Sequence, residues 1–156
     1  MKPYNLLAII ALGFAACNQP KPAETKPSGQ SAIIGTWQLI SDKIITNGDT
    51  TITYPVKGKP DEMIKMYNDT HFAFTQHDLN KGKIDTPFFS SGAGTYTLKG
   101  NDYTEHLQYC TDRVWEGHDF TFKLTIHNDT LVQKGIEKLD SLKINREIVE
   151  TYVRKK

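Results

Sequence analysis

The side chains most able to bind or react fall on a few alternating runs. In Tyr103-Thr104-Glu105-His106-Leu107-Gln108-Tyr109-Cys110, the odd-numbered residues put two phenols and a carboxylate on one face. The even-numbered residues put His106 and Cys110 on the other. Near the C-terminus Ile144, Arg146, Ile148, Glu150, Tyr152 and Arg154 share a face by the same rule. Phe72, Phe74, Tyr96, Leu98, Phe120, Phe122, Leu124 and Ile126 supply aromatic and aliphatic walls. Two arrangements are open to this set. One is a pocket: Phe72, Phe74 and Tyr96 hold an apolar body while Glu105 and Arg154, with Tyr103 or Tyr109, fix its polar end. The other is a filled core in which Glu105 and an arginine form a satisfied ion pair beneath the tyrosines, because buried charge must be paired.

Catalysis and metal binding find little support. No serine stands in a nucleophile elbow, no glycine-rich phosphate loop follows a strand, and Cys110 has no base adjacent in sequence. Asp112, Glu116 and His118 sit together in one segment, where charged loop residues are ordinarily solvated. His71 and His77 share a strand face but lie ~20 Å apart at ~3.3 Å per residue. His106, His118 and His127 fall on separate elements without ligand spacing. The expectation is a protein that is not an enzyme and uses neither cofactor nor metal.

Short strands must position these groups. Ile33 to Ile45 alternates as a long first strand, Asn47-Gly48 follows as a type I′ turn, and Thr50 to Tyr54 returns before Pro55. A quasi-repeat of strand, Asn-Asp turn and strand then appears three times. Glu62–Tyr67 turns into His71–His77, Gly94–Leu98 into Tyr103–Cys110, and Phe120–His127 into Thr130–Gly135. Lys143–Arg154 is the last strand, which makes nine. Ile136–Leu142 is the best helix candidate, one or two turns if not a loop. Residues 78–91, with Phe88-Phe89, and 111–119, with Trp115, are long irregular loops. Consecutive hairpins specify an up-and-down antiparallel sheet, and at this strand number closure into a barrel removes the edges. The fold class expected for residues 33–156 is therefore an all-β, antiparallel, up-and-down β-barrel, with an open sandwich as the alternative.

The N-terminus carries no fold signal. Lys2 precedes the apolar run Leu6–Ala16, whose 11 residues are too few for the ~20 that span a bilayer but suit a secretory signal. Phe14-Ala15-Ala16-Cys17 resembles the bacterial lipobox, which implies cleavage after residue 16 and acylation of Cys17. Residues 18–31 hold three prolines and no aromatic residue, so residues 17–32 read as lipidated cysteine and flexible linker. Only Cys110 would then remain, which leaves no intrachain disulfide. Loss of Lys2 with the signal leaves 18 basic against 18 acidic side chains. That balance gives no attraction for nucleic acid or anionic lipid, so membrane affinity would come from the lipid anchor. The residues after Cys17 contain no aspartate and no acidic run, which favours the outer membrane, facing the periplasm.

Gly35-Thr36-Trp37 on the first strand resembles the Gly-x-Trp signature of the lipocalin and calycin group. That likeness implies a Trp37 that plugs one barrel end, covered by an arginine of the closing strand, Arg154 or Arg146. Gly94-Thr95-Tyr96-Thr97-Leu98, Gly100, Tyr103-Thr104-Glu105 and Tyr109 resemble the bacterial lipocalin-like domain family of uncharacterised function (DUF4488-type). Thr70-His71-Phe72 and Glu150-Thr151-Tyr152-Val153-Arg154 are similar to its other recurrent segments. The resemblance implies a lipocalin-like fold and leaves the role open. Two roles follow: a membrane-anchored binder of a small apolar or amphipathic molecule, or an envelope lipoprotein with a filled core that contacts a protein partner.

Overall fold

The alternating runs become nine antiparallel strands in a computed structural model that describes residues 32–83 and 85–156. They are β1 (Gly35–Thr46), β2 (Asp49–Tyr54), β3 (Asp61–Tyr67), β4 (His71–Asp78), β5 (Phe89–Lys99), β6 (Asp102–Cys110), β7 (His118–His127), β8 (Thr130–Leu139) and β9 (Ile144–Arg154). From β3 onward each strand pairs with the next. Closure comes from β1, whose residues Trp37 to Ile45 pair with Arg154 to Glu147 of β9. Along its other edge β1 pairs first with β3, at Gly35–Gln38, and then with β2, at Asp42–Thr46. Eight strands thus form a closed barrel, and the β1–β2 hairpin extends one rim. Among the described residues each strand of the eight-stranded wall has a partner on both sides, which limits the hazard of edge-to-edge pairing.

Turn chemistry sets the hairpins. Asn47 and Gly48 both have positive φ, 52° and 91°, as a type I′ turn requires. At the β3–β4 turn the Asn68 side-chain oxygen accepts the backbone N–H groups of Thr70 (2.9 Å) and His71 (2.7 Å). The segment Ile136–Leu142, read as one or two helical turns or a loop, is instead the end of β8, followed by a single 3₁₀ turn at Asp140–Leu142. Pairing with β9 overrides weak local preference there: Glu137 lies opposite Arg146, and the two side chains form an ion pair at 2.7 Å.

Two bulges break the strict alternation. On β1, Leu39 faces Tyr152 and Ser41 faces Thr151, so Ile40 is an extra residue. Leu39 and Asp42 then both point inward. On β6, Leu107 faces Gly94 and Tyr109 faces Ala93, so Gln108 is extra, and Cys110 rather than Tyr109 points inward. One inserted residue reverses the facing of every residue beyond it. Gly94 is required beside the second bulge, because a Cβ there would lie 1.9 Å from the His106 carbonyl oxygen.

The barrel is filled at one end. Ile33, Trp37, Phe72, Tyr103, Leu131 and Tyr152 are the most deeply buried apolar residues, and Tyr67, Tyr96 and Tyr103 pack ring to ring at 5.6–5.9 Å. Trp37 is 0% exposed and donates its indole N–H to the Ile33 carbonyl at 2.7 Å. The Arg154 guanidinium lies 4.1 Å from the Trp37 ring centroid and donates to the carbonyls of Ile34 (2.9 Å) and Ala32 (2.7 Å). This cation–π stack ties the chain before β1 across the barrel bottom. It matches the plug expected from Gly35-x-Trp37, with Arg154 as the arginine.

Candidate functional site

Above the aromatic layer the barrel holds a cavity of about 430 Å³ that opens at the β1–β2 end. Met63, Phe74, Leu107 and Phe120 form its apolar walls, and Phe88 and Trp115 stand at the mouth. The loop that carries Phe88 is held by Asp78, whose carboxylate accepts the N–H groups of Gly82 (2.9 Å), Asn80 (3.1 Å) and Phe88 (3.3 Å). Those bonds, that to Gly82 foremost, hold the Asp78 carboxyl below the usual aspartate range. Trp115, on the 3₁₀ turn Arg113–Trp115, packs on Phe120 at 5.7 Å between centroids.

Ion pairs line the interior. Lys65 is 3% exposed; its ammonium donates to Glu105 Oε1 and to Gln133 Oε1, the latter at 3.1 Å. It also sits 5.4–5.9 Å from the ring centroids of Phe72, Tyr103 and Tyr67, so the aromatic layer forms its other support. Burial alone would lower the Lys65 pKa, but Glu105 together with Tyr67 and Glu150 outweighs it and the net shift is upward. Higher in the cavity Arg146 pairs with Glu137, and its guanidinium lies 5.9 Å from the Trp115 ring centroid.

Asp42 and Glu150 are different. They stand directly opposite each other on the β1–β9 pair, and both line the cavity. Thr53 donates its hydroxyl to Asp42 Oδ2. Asp42 Oδ1 and Glu150 Oε2 are buried and accept no hydrogen bond within 3.5 Å among the described residues, although the Tyr152 hydroxyl lies near enough to Glu150 to favour its ionised form. Nor does any lysine or arginine among those residues reach ion-pair distance of either carboxylate. Burial pushes Glu150 up to about 7, against the attraction of Lys65 and with help from the negative charges of Asp42 and Glu105. Burial also raises Asp42 and Glu137. Like charges directly opposite in a sheet destabilise it, so this pair is a cost that packing alone does not explain.

The residues expected to form a site divide between four places. Glu105 and Phe74 line the cavity. Phe72, Tyr96 and Tyr103 belong to the buried aromatic layer below it. Tyr109 is 67% exposed, turned outward by the β6 bulge, and Arg154 is at the opposite barrel end on Trp37. Neither reaches the cavity. Of the adjacent phenylalanines, Phe88 lines the mouth and Phe89 points outward at 63% exposure. Lys65, Gln133, Asp42, Arg146 and Glu150 were not expected as site residues. A lysine set between Met63 and Tyr67 on an inward face was a signal for the first. For Asp42 strict alternation pointed the wrong way. Among the described residues no three His, Cys, Asp or Glu side chains converge as a metal site.

Fold and site together define a closed eight-stranded antiparallel β-barrel with one end plugged and the other opening on a charged cavity. No protein-family model and no curated protein matches the chain. Among solved structures, a lipocalin-like protein from Bacteroides uniformis is 14% identical, with a TM-score of 0.47 over 80% of this chain and 99% of its own. An uncharacterized protein from Bacteroides eggerthii is 12% identical, with a TM-score of 0.44 over 79% of this chain and 99% of its own.

Proposed function

We propose that the protein is a lipocalin-like lipoprotein of the cell envelope that binds a small amphipathic molecule in its barrel and catalyses no reaction. The observation that carries this reading is the cavity. About 430 Å³ falls within the ~300–1,000 Å³ of small-molecule sites, and apolar walls over a few placed polar groups are what such sites use. The aromatic layer supplies a rigid floor, so a ligand would enter and leave by the mouth between Phe88 and Trp115. Gly35-x-Trp37 beneath Arg154 supports the lipocalin-like assignment.

The signal, Cys17 and residues up to 31 lie outside the described residues, so the anchor rests on the lipobox-like sequence alone. In this reading the linker holds the barrel off the periplasmic face of the outer membrane. Cys17→Ala should release the chain from the membrane fraction with its far-ultraviolet circular dichroism unchanged; full membrane retention would refute the acylation. For the cavity, native mass spectrometry of the chain purified from its own cells should show a bound molecule of a few hundred daltons. An apo mass that persists under the gentlest conditions, with no stabilisation by any small molecule in a thermal-shift panel, would sink the binding reading. A second reading, contact with an envelope protein, is favoured by exposed Phe89, Tyr109 and Val114 on the outside. Crosslinking from those positions in intact cells tests it.

A further inference from the structure

Resting on the binding reading above, we infer that the cavity takes an organic cation: a primary ammonium or guanidinium group on an apolar body, with its charge against Asp42 and Glu150. Five carboxylates line the cavity, Asp42, Glu105, Asp112, Glu137 and Glu150, against three cations, Lys59, Lys65 and Arg146. Glu105 and Glu137 are satisfied by Lys65 and Arg146. Lys59 pairs with Asp61 at 3.7 Å and stands over the Phe88 ring, and Asp112 is exposed, so its charge is met by solvent. The negative charge left over is that of the β1–β9 pair.

A neutral or anionic ligand would leave that charge offset only at a distance, by Lys65 and Arg146, whereas a cation would meet it directly and bring N–H donors to two acceptor-only side chains. Phe74, Phe120 and Trp115 line the same space, so the apolar body would lie against aromatic faces that also favour positive charge. The arrangement is built rather than incidental. Asp42 points inward only because of the extra residue Ile40, and Thr53 fixes its carboxylate. Glu150 is faced by Asp42 from β1, Lys65 from β3, Glu105 from β6, Gln133 from β8, and Arg146 and Tyr152 from β9. A cation would favour ionised Glu150, so binding would release a proton near neutral pH.

The test is isothermal titration of the full chain in detergent with three probes of similar size: 2-phenylethylamine, 2-phenylethanol and 3-phenylpropionate. At pH 8 the amine should bind at least tenfold tighter than the alcohol, and the carboxylate weakest. The amine's affinity should fall by up to about tenfold per pH unit as pH drops below 7, as Glu150 takes up its proton, while the alcohol's stays level. Asp42→Asn with Glu150→Gln should bring the amine-to-alcohol ratio close to one; should that variant fail to fold, Glu150→Gln alone should flatten the pH profile. Equal binding of amine and alcohol to the wild-type chain overturns the cation and leaves the cavity reading standing. Tighter carboxylate binding does the same. Binding of none of the three by the folded chain overturns the cation, and only an apo native mass together with an empty thermal-shift panel overturns the cavity reading as well.

Discussion

Replacing Glu150 with glutamine removes one carboxylate of the opposed pair and keeps its shape. Burial holds the Glu150 pKa at about 7, against 4.5 for an unperturbed glutamate. The folded chain therefore binds this proton more tightly than the unfolded chain does. Its contribution is fully present below the unfolded value, declines as pH rises above 4.5, and is gone once pH passes about 7. A displacement of about 2.5 pH units at about 1.4 kcal/mol each is worth roughly 3 kcal/mol. Glutamine carries no such proton. The variant should match the wild type at pH 4.5 to within packing differences and exceed it by about 3 kcal/mol at pH 8. Urea unfolding of both proteins between pH 4.5 and 8.5 measures the difference, in which groups remote from position 150 cancel. Asp78 is one of these: its lowered pKa gives stability that is lost as pH falls, the opposite sense. A stability difference that does not change with pH, or a wild type that gains on the variant as pH rises, would refute the argument.

Lys65→Met leaves Glu105 buried without its cation and should cost about 3–5 kcal/mol in urea unfolding; adding Glu105→Leu should restore most of it. Gly94→Ala sets a methyl 1.9 Å from a backbone oxygen that cannot swing aside. It should cost roughly 3 kcal/mol, at the upper end of overpacking penalties, and a melting temperature within 2 °C of wild type, against the several degrees expected of a few kcal/mol in a domain this size, would contradict the bulge geometry. Trp37→Ala should destabilise by roughly 3–5 kcal/mol, and a loss below about 1 kcal/mol would show that the plug bears little of the fold.

Much of this barrel is legible in the residues. Asn47-Gly48, Asn68-Asp69 and Asn128-Asp129 mark reversals because their side chains tolerate or bond the backbone a tight turn needs. The alternation of Phe120, Phe122 and Leu124 states which face is buried. Gly35-x-Trp37 pointed to a plug, and an arginine from the last strand covers it. The candidate site was less legible. Glu105 and Phe74 follow from alternation, but Tyr109 and Asp42 do not, because a bulge lies between each of them and the nearest residue whose facing is secure. Arg154 shares a face with Glu150 and Arg146, yet the 11-residue β9 runs the whole barrel, so one face serves both ends. The Ile136–Leu142 segment shows the same limit, since its strand state depends on the partner it pairs with.

What the chain determined by itself is local: strand period, turn positions and the chemical character of each face, all settled by neighbours within a few residues. Tertiary structure decided which end is plugged, where the cavity lies, and that Asp42 meets Glu150. Those outcomes depend on closing β1 onto β9 and on single-residue insertions that reverse a strand's facing. An insertion of one residue is invisible in composition, because it changes which way each side chain points without changing any side chain.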